Sequence, residues 1–182
     1  MKIALILIDI QNDYFPGGKN PLHNPEKAAE NAKIALKLFR EKGLPILHIQ
    51  HIALQEGAAF FLPGSEGKEI YHDIKPENDE KILTKHYPDS FFQTGLHEIL
   101  AKTGVKKIVL CGMMSRMCID ATVRSAKNYL YEVLLLSDAC ATKDLLWENE
   151  TIIAENVHKT VMASLQGTFA KIIKTNALED YL

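Results

Sequence analysis

The amino-acid sequence predicts an α/β fold with three α/β/α layers, built on a doubly wound, mainly parallel six-stranded sheet of the Rossmann-like type. Near-continuous apolar runs recur along the chain, which is typical of strands buried on both faces of a sheet. Segments whose apolar residues repeat with a period of 3.6 lie between these runs, so strands and helices alternate. The 182 residues, 47% of them hydrophobic, suffice for one core, and we expect a single domain over residues 1–182.

Six strands are expected at the apolar runs. Four of these runs are strong, and two are weaker because polar residues interrupt them. The strong runs are 2–9, 44–50, 106–112 and 132–138, and the weaker ones are 81–86 and 170–175. Right-handed crossovers through the intervening helices join such strands into one sheet.

Helices are predicted between the strands from their capping residues. Asn24 is the expected N-cap of a helix over residues 25–42, and Gly43 is its stop. Thr94 and Gly104 frame a second helix in the same way. Two further helices are predicted within 118–131 and 145–165.

One stretch, residues 52–80, departs from this alternation. It holds three Gly and two Pro and is too long for a simple connection. We therefore expect a loop insertion with a role in function or in an interface. Its segment "AAFF", residues 58–61, is interpreted either as a lid over a site, supplied by this or a neighbouring subunit, or as a dimer contact without a catalytic role.

Composition excludes several functional classes. The formal net charge is −2, the charged fraction is 24%, and no run of Lys and Arg exceeds two residues, so we expect no binding of nucleic acid. The longest apolar run has the length of a strand, and we expect no membrane span. The N-terminal segment lacks a cleavage site and reaches Asp9 and Asp13 directly, which predicts a strand and a cytoplasmic protein.

Reactive residues follow three of the predicted strands. Ligands of open α/β sheets bind beyond the carboxyl ends of the strands, and Asp9, Lys85 and Cys118 all fall at this edge. Cys118 is predicted in the first turn of a helix, where free N–H groups and the dipole favour a thiolate, and a nearby Lys85 would lower the thiol pKa further. Each residue taken singly also has an interpretation without catalysis. Asp9 can be a helix cap, Lys85 a surface residue and Cys118 a small residue of the core.

The other two cysteines are weaker candidates for a reactive thiol. Three cysteines with no C-x-x-C motif argue against a disulfide framework or a structural zinc site. Cys111 lies inside an apolar strand and is predicted to be inert packing. Cys140 ends another strand but has no base close to it in sequence.

Four segments of the chain, in order and at the right spacing, resemble the isochorismatase-like cysteine hydrolases, a family that includes nicotinamidases and other small-amide hydrolases. They are "LILIDIQNDYFPGG", "ILTKHYPDSFFQTGL", "VLCGMMSRMCIDATVRSA" and "LLLSDACAT". The resemblance implies a catalytic triad of Asp9, Lys85 and Cys118. It also implies a cis peptide bond between Met113 and Met114, and an oxyanion hole formed by the backbone N–H groups of Met114 and Cys118.

The resemblance further implies hydrolysis of a small-molecule amide or related C–N bond through a thioester on Cys118, with Asp9 moving the protons and Lys85 stabilising the charged arrangement. Isochorismatases themselves generally lack the nucleophilic Cys and use the Asp as a general acid, so vinyl-ether hydrolysis through Asp9 is an alternative. A non-catalytic α/β binding domain and a thiol-based redox protein are further alternatives. The first lacks any G-x-G-x-x-G or P-loop after a strand, and the second lacks a C-x-x-C.

We expect no metal and no cofactor. Nicotinamidases of this family hold a metal ion near the second strand with an Asp-x-His motif and a further His. This sequence has "LHIQHIAL" there, and His48 and His51, three residues apart on a strand, should point to opposite faces. The pair is therefore interpreted as packed or solvated histidines that do not chelate one ion.

Five residues close in sequence to Asp9 and Lys85 are expected to contribute to a substrate pocket. Gln11 offers a hydrogen bond, and the other four flank the two charged residues. These four are Phe15, His86, Tyr87 and Phe91. The expected partners are a small-molecule substrate and further copies of the chain as a dimer or higher homo-oligomer, because the family is mostly oligomeric and the Phe-rich insertion suits an interface.

Overall fold

A computed structural model, described for residues 2–77 and 79–182, contains one six-stranded sheet whose neighbouring strands are all parallel. Two further strands form a separate antiparallel pair. The strands are β1 (Lys2–Ile8), β2 (Ile46–His51), β3 (Lys81–Lys85), β4 (Val105–Met113), β5 (Glu132–Ala141), β6 (Leu145–Trp147), β7 (Glu150–Ile152) and β8 (Lys171–Ile173). The order in the sheet is β3-β2-β1-β4-β5-β8, which confirms the predicted fold class.

Helices cover both faces of this sheet. They are α1 (Pro25–Glu41), α2 (Leu96–Thr103), α3 (Asp120–Asn128) and α4 (Ala154–Leu165). The core on one face contains α1, and the core on the other face contains residues of α2, α3 and α4. Along β1, alternate side chains enter the two cores, and residues 3–8 are at most 5% exposed. This two-sided burial explains the continuous apolar run of the first strand.

The order of the strands reverses at β1. The chain adds β2 and β3 on one side of β1, and then β4, β5 and β8 on the other. Such a switch point leaves a crevice at the carboxyl ends of the two central strands, here β1 and β4, and this is where open α/β sheets bind their ligands.

The ends of α1 follow the predicted signals more closely than those of α2. Asn24 precedes α1, with Pro25 as its first residue, and Gly43 follows with a φ of 61°. Thr94 is not the residue directly before α2, because Gly95 takes that place with a φ of 75°. Thr94 instead accepts a hydrogen bond through Oγ1 from the N–H of Leu96 at 3.2 Å.

The single helix predicted over residues 145–165 is wrong in its first half. There β6 and β7 pair as an antiparallel hairpin, and the helix α4 begins at Ala154. Glu148 and Asn149 both have positive φ, 46° and 68°, and two such residues form the tight turn whose twist suits a hairpin. Asp144 Oδ1 then accepts a hydrogen bond from the Ala154 N–H at 2.7 Å.

The insertion predicted over residues 52–80 is described except for Asn78. It folds back over the segment that follows β1. The Asn12 N–H donates to the Glu69 carbonyl, and the Tyr71 N–H donates to the Ile10 carbonyl, each at 2.9 Å. The insertion is thus tied to the chain just beyond Asp9.

A buried carboxylate, Asp13, is a second anchor for the insertion. It is 4% exposed and accepts hydrogen bonds from the backbone N–H groups of Phe61 at 2.7 Å and Lys19 at 3.0 Å. Gly67 passes so close that a Cβ there would lie 2.2 Å from the carboxylate atoms. The backbone of the insertion therefore packs directly on Asp13.

In the described part of the chain, the helices are too short or too polar to cross a bilayer.

Gly112 allows the two central strands to approach each other. Its φ is 129°, and a Cβ at this position would lie 2.0 Å from the Ile8 carbonyl oxygen. We predict that Gly112→Ala lowers the free energy of unfolding by about 2–4 kcal/mol, because both the backbone strain and the clash must be relieved. Urea denaturation measures this change.

Gly17→Ala is the matched control. Gly17 also has a positive φ, 89°, but apart from its two chain neighbours no described residue has an atom within 4 Å of the position of a Cβ. It should cost only about 1 kcal/mol, from the left-handed backbone alone. Equal losses in the two variants would contradict the close-approach explanation.

Candidate active site

The fold brings together the three residues predicted at the edge of the sheet. Asp9 follows β1, Lys85 ends β3, and Cys118 lies in the turn after β4. Lys85 Nζ lies 2.7 Å from Asp9 Oδ2 and 3.2 Å from Cys118 Sγ. The three residues are 0%, 1% and 5% exposed. An acid, a cation and a thiol therefore share one buried position.

The order of the strands explains why a lysine fills the central place. β2 lies between β3 and β1, so these two strands are about 10 Å apart across the sheet. The long side chain of Lys85 can cross this distance to reach Asp9. A shorter basic side chain at the end of β3 would not.

Asp9 is held in an unusual conformation. Its φ is 51°, in the left-handed region that few residues other than glycine adopt, and its N–H donates to the Ile49 carbonyl at 3.0 Å. Neither carboxylate oxygen accepts a well-directed hydrogen bond from residues 2–77 or 79–182. The carboxylate is thus paired by charge with Lys85 while its lone pairs stay available for a proton.

Lys85 stays protonated in these surroundings. Burial opposes its charge, but the neighbouring Asp9 and Cys118 outweigh burial and raise the pKa of Lys85. Its Nζ also donates to the Tyr87 carbonyl at 3.1 Å and lies 3.1 Å from Nδ1 of His51. Together with Asp9 Oδ2 and Cys118 Sγ, the ammonium therefore has four potential acceptor atoms within 3.2 Å.

The structure corrects the prediction of a low-pKa thiolate at Cys118. Burial raises the pKa of the Cys118 thiol, the negative charge of Asp9 raises it further, and Lys85 only partly opposes them. Cys118 also lies in a π-helical turn, Ser115–Ile119, which precedes α3. At neutral pH the resting side chain is the thiol, so a base is needed to form the nucleophile.

The turn that carries Cys118 is supported from behind by two elements. Ser115, which is fully buried, donates a hydrogen bond to the Ala141 carbonyl of β5 at 3.2 Å and lies 3.0 Å from Nδ1 of His158 in α4. The peptide bond between Met113 and Met114, just before this turn, is cis.

His51 belongs to the site and was not identified from the sequence. As predicted, it does not share surroundings with His48, which is buried and contacts Glu80 at 3.0 Å. His51 pairs in register with Lys85, at the carboxyl end of the adjacent strand. Ligands of open α/β sheets bind beyond the carboxyl ends of the strands, and this position predicted Asp9, Lys85 and Cys118. His51 at the end of β2 meets the same criterion.

The His51 ring is uncharged at neutral pH. Burial, followed by the charge of Lys85, lowers the pKa of His51 to about 4. Since its Nδ1 faces the ammonium of Lys85, that nitrogen accepts the hydrogen bond and the proton of the neutral ring resides on Nε2. His51 thus offers a neutral N–H donor to the adjoining space.

Asp9, His51 and Cys118 form a cluster of potential metal ligands. One atom from each lies within 4.8 Å of the other two. Lys85 Nζ lies within 3.2 Å of an atom of each of the three. The ammonium occupies the central position that a bound cation would take, so the donor set fits the lysine of the chain itself and a metal ion would have to displace Nζ.

A cavity of about 320 Å³ opens beside Cys118. His51, Gln55 and Glu56 are the most polar residues of its wall. The remainder is largely apolar and comprises Tyr14, Ala53, Gly57, Ala58, Ala59, Phe60, Phe61, Pro88, Met114 and Met117. The insertion supplies much of this wall, and its segment 58–61 lines the same cavity as Cys118 of its own chain.

The predicted pocket residues Gln11 and Phe15 do not line this cavity. Gln11 is fully buried, and its amide donates to the carbonyls of His51 and Lys68 and accepts from the His51 N–H. It joins β2 to the insertion, and both N–H groups of its amide are used within the chain. Phe15 is buried and stacks on Tyr71 with ring centres 3.6 Å apart.

The other three predicted pocket residues also lie outside it. His86 is tied through Nδ1 to the Ile52 carbonyl at 2.8 Å. The Tyr87 side chain is 46% exposed, and only its backbone carbonyl reaches the site. Phe91 is buried in the core and stacks on Tyr129. Sequence proximity failed here because successive residues of an extended segment point in different directions.

Comparison with known proteins gives a consistent result. The family model described as "Isochorismatase domain" matches residues 3–177. The isochorismatase family protein YddQ of Bacillus subtilis is 50% identical, over 97% of this chain and 98% of its own length. A streptothricin hydrolase of Streptomyces noursei is 31% identical, over 92% of this chain and 58% of its own. The crystal structure of an isochorismatase from Pseudomonas putida, 32% identical, superposes with a TM-score of 0.90 over 96% and 89% of the two chains.

The low pKa of His51 has a consequence for stability. From about pH 6.5 down to about pH 4, the unfolded chain binds a proton at this side chain and the folded protein does not, so stability falls with pH in this window. We predict that between about pH 7.5 and pH 5 the wild type loses about 1.5–2 kcal/mol more of its free energy of unfolding than His51→Gln. Urea titrations at the two pH values test this, and parallel losses would contradict it.

Proposed function

The chain belongs to the isochorismatase family of hydrolases, and we propose that it is a cysteine hydrolase that cleaves a small-molecule amide or related C–N bond through a thioester on Cys118. One observation carries this proposal. Lys85 Nζ lies 2.7 Å from Asp9 Oδ2 and 3.2 Å from Cys118 Sγ, and this buried group faces a cavity. A nucleophile, a base and a charge-stabilising group at one end of a substrate-sized cavity are the parts that acyl transfer requires.

In the first half of the reaction, an oxygen of Asp9 takes the proton of the Cys118 thiol. The sulfur attacks the substrate carbonyl carbon, and the carbonyl electrons move to its oxygen. When the C–N bond breaks, its electrons leave with the nitrogen, which takes the proton from Asp9 and departs as the amine. The acyl group remains on Cys118 as a thioester.

In the second half, Asp9 takes a proton from water while the water oxygen attacks the thioester. The C–S bond breaks, its electrons return to sulfur, and the proton passes from Asp9 to Cys118. The acid is released and the thiol is restored. Throughout the cycle Lys85 remains an ammonium, because the negative charge moves between Asp9 and Cys118 and never leaves its neighbourhood.

The developing oxyanion needs donors that are already in place. We infer that these are the backbone N–H groups of Met114 and Cys118, within the turn that the Met113–Met114 cis peptide introduces. Ser115 stabilises this turn through its contacts with Ala141 and His158. The reaction as derived uses only side chains and backbone of the chain, and we propose that it is metal-independent.

Vinyl-ether hydrolysis with Asp9 as general acid is the second candidate. It needs no thiol, and the contact between Cys118 and Lys85 would then have no chemical purpose. The relative from Streptomyces noursei that is named a hydrolase accords with either reaction. The two are separated by the effect of removing the sulfur.

We predict that Cys118→Ala, Asp9→Asn and Lys85→Met each lower hydrolysis of neutral primary carboxamides by at least ~10³-fold, because each removes one member of a group that acts as a unit. Ammonia release from a panel containing nicotinamide, benzamide and isobutyramide measures this. Cys140→Ser is the control and should stay within about threefold of wild type. Activity retained in Cys118→Ala but lost in Asp9→Asn would favour the vinyl-ether reaction.

We also propose a cytoplasmic homo-oligomer with one hydrolase domain over residues 1–182. The Phe pair of the insertion does not support an interface, because Phe61 is 1% exposed and packs against Tyr14. The β6–β7 hairpin is a better candidate surface, since Leu146 and Trp147 are 72% and 67% exposed.

Light scattering tests the oligomeric state. We expect at least twice the mass of one chain, and a reduced mass in Trp147→Ser, because loss of the indole removes the largest exposed apolar side chain of the hairpin. A clean monomer for the wild type would contradict the proposal.

A further inference from the structure

The wall of the Cys118 cavity carries little charge. Apart from Cys118, the described residues that line it include only three that can ionise, Tyr14, His51 and Glu56. Burial above all, together with the negative charge of Asp9, raises the pKa of Tyr14 well above its usual range, so the phenol stays neutral. His51 is likewise neutral, because burial and the charge of Lys85 lower its pKa. The one remaining group of the three is acidic.

No lysine or arginine lines this cavity in the part of the chain that the structure describes. Lys85 lies behind Cys118, and its charge is matched by the ion pair with Asp9. Arg116, the neighbour of Met117 in the turn that carries Cys118, is close enough to Tyr14 for its charge to oppose the rise in the pKa of that phenol. Its guanidinium does not form part of the wall.

We propose that this cavity selects substrates with an uncharged, largely apolar acyl group and rejects those that carry a carboxylate there. An anion bound next to Cys118 would lose its hydration and find no counter-ion, only Glu56 of the same sign. A neutral acyl group would instead pack against Phe60, Phe61 and Met117. The inference rests on the proposed function, because it takes Cys118 as the atom that meets the acyl group.

The size of the cavity limits the acyl group as well. Its volume of about 320 Å³ corresponds to about ten water molecules at ~30 Å³ each. This suits a small branched or single-ring acyl group. The neutral His51 ring and the Gln55 amide are uncharged polar groups of the wall that can orient it, and they pair with a neutral substrate group without requiring charge.

Two alkylating agents that differ only in charge test the inference without requiring turnover. In both iodoacetamide and iodoacetate, the Cys118 sulfur displaces iodide, so a C–S bond forms and the C–I bond breaks. The rate for each is followed by intact mass with peptide mapping of Cys118. The ratio of the two rates is divided by the same ratio for N-acetylcysteine, which removes the intrinsic difference between the reagents.

We expect the normalised preference of Cys118 for iodoacetamide to be at least ~30-fold, because only the carboxylate must be desolvated without a partner. A preference within about threefold of the free thiol would overturn the inference and leave the proposed function intact. If neither reagent modifies Cys118 in the folded protein, the accessible nucleophile is absent. The proposed function then fails, and the inference fails with it.

Variants at the rim of the cavity identify the cause of the preference. Met117 is 37% exposed, so Met117→Lys can introduce a cation into the wall, and the preference should fall at least ~10-fold. Met117→Gln, polar but uncharged, is the matched control and should keep it. An unchanged preference in Met117→Lys would show that charge is not the cause.

Arg116→Gln tests the nearest natural cation. We expect it to leave the iodoacetate rate unchanged. The alternative outcome is that wild type reacts with both reagents at similar normalised rates and that Arg116→Gln reacts much more slowly with iodoacetate. Arg116 would then be the counter-ion of an anionic acyl group, and the inference would be overturned.

Discussion

The buried ion pair between Lys85 and Asp9 is the interaction on which the rest of the site depends. Both side chains are fully buried, with Nζ and Oδ2 2.7 Å apart. Burial of two charges is costly unless they are paired and further bonded, and here the Tyr87 carbonyl and His51 Nδ1 satisfy the ammonium. The pair holds one negative charge beside one thiol. This arrangement keeps Cys118 protonated at rest and positions its base within reach.

The fold supplies this pair through the ends of its strands. The reversal of strand order at β1 puts Asp9 and the turn with Cys118 on the two sides of one crevice, and the reach of Lys85 from β3 closes it. The insertion, anchored on Asp13, then adds the wall that turns a crevice into a cavity. The proposed catalytic group therefore lies at the ends of the sheet strands, whereas the insertion and the turn that carries Cys118 supply the wall of the cavity.

The sequence predicted well those features that depend on periodicity and on position along a strand. The apolar run of β1 predicted a doubly covered strand, and the strand ends predicted that Asp9, Lys85 and Cys118 would meet. The helix predicted over 145–165 was half wrong, because a short alternating run around a tight turn has no periodicity that separates it from a helix. The residues predicted for a pocket do not line the cavity beside Cys118, because the direction of Gln11 or Phe15 depends on loop contacts that sequence proximity does not contain.

The protonation state of Cys118 likewise could not be predicted from the sequence. Its position before a helix and near a cation suggested a low pKa, but burial and the carboxylate of Asp9 act in the opposite direction and dominate. The sign of that balance depends on burial and distances between side chains far apart in sequence. The place of His51 in the site depends on a related feature. Its contact with Lys85 follows from the register between β2 and β3, which the spacing of the two histidines does not contain.

Trapping of the acyl-enzyme tests the central claim most directly. The uncharged activated ester p-nitrophenyl acetate is mixed with the protein, the reaction is quenched rapidly in acid, and the intact mass and the labelled peptide are determined. We expect one acetyl group on Cys118, absent in Cys118→Ala and formed much more slowly in Asp9→Asn. Acetylation spread over Cys111, Cys140 or lysines, or a rate unaffected by Asp9→Asn, would contradict the assignment of Cys118 as a nucleophile activated by Asp9.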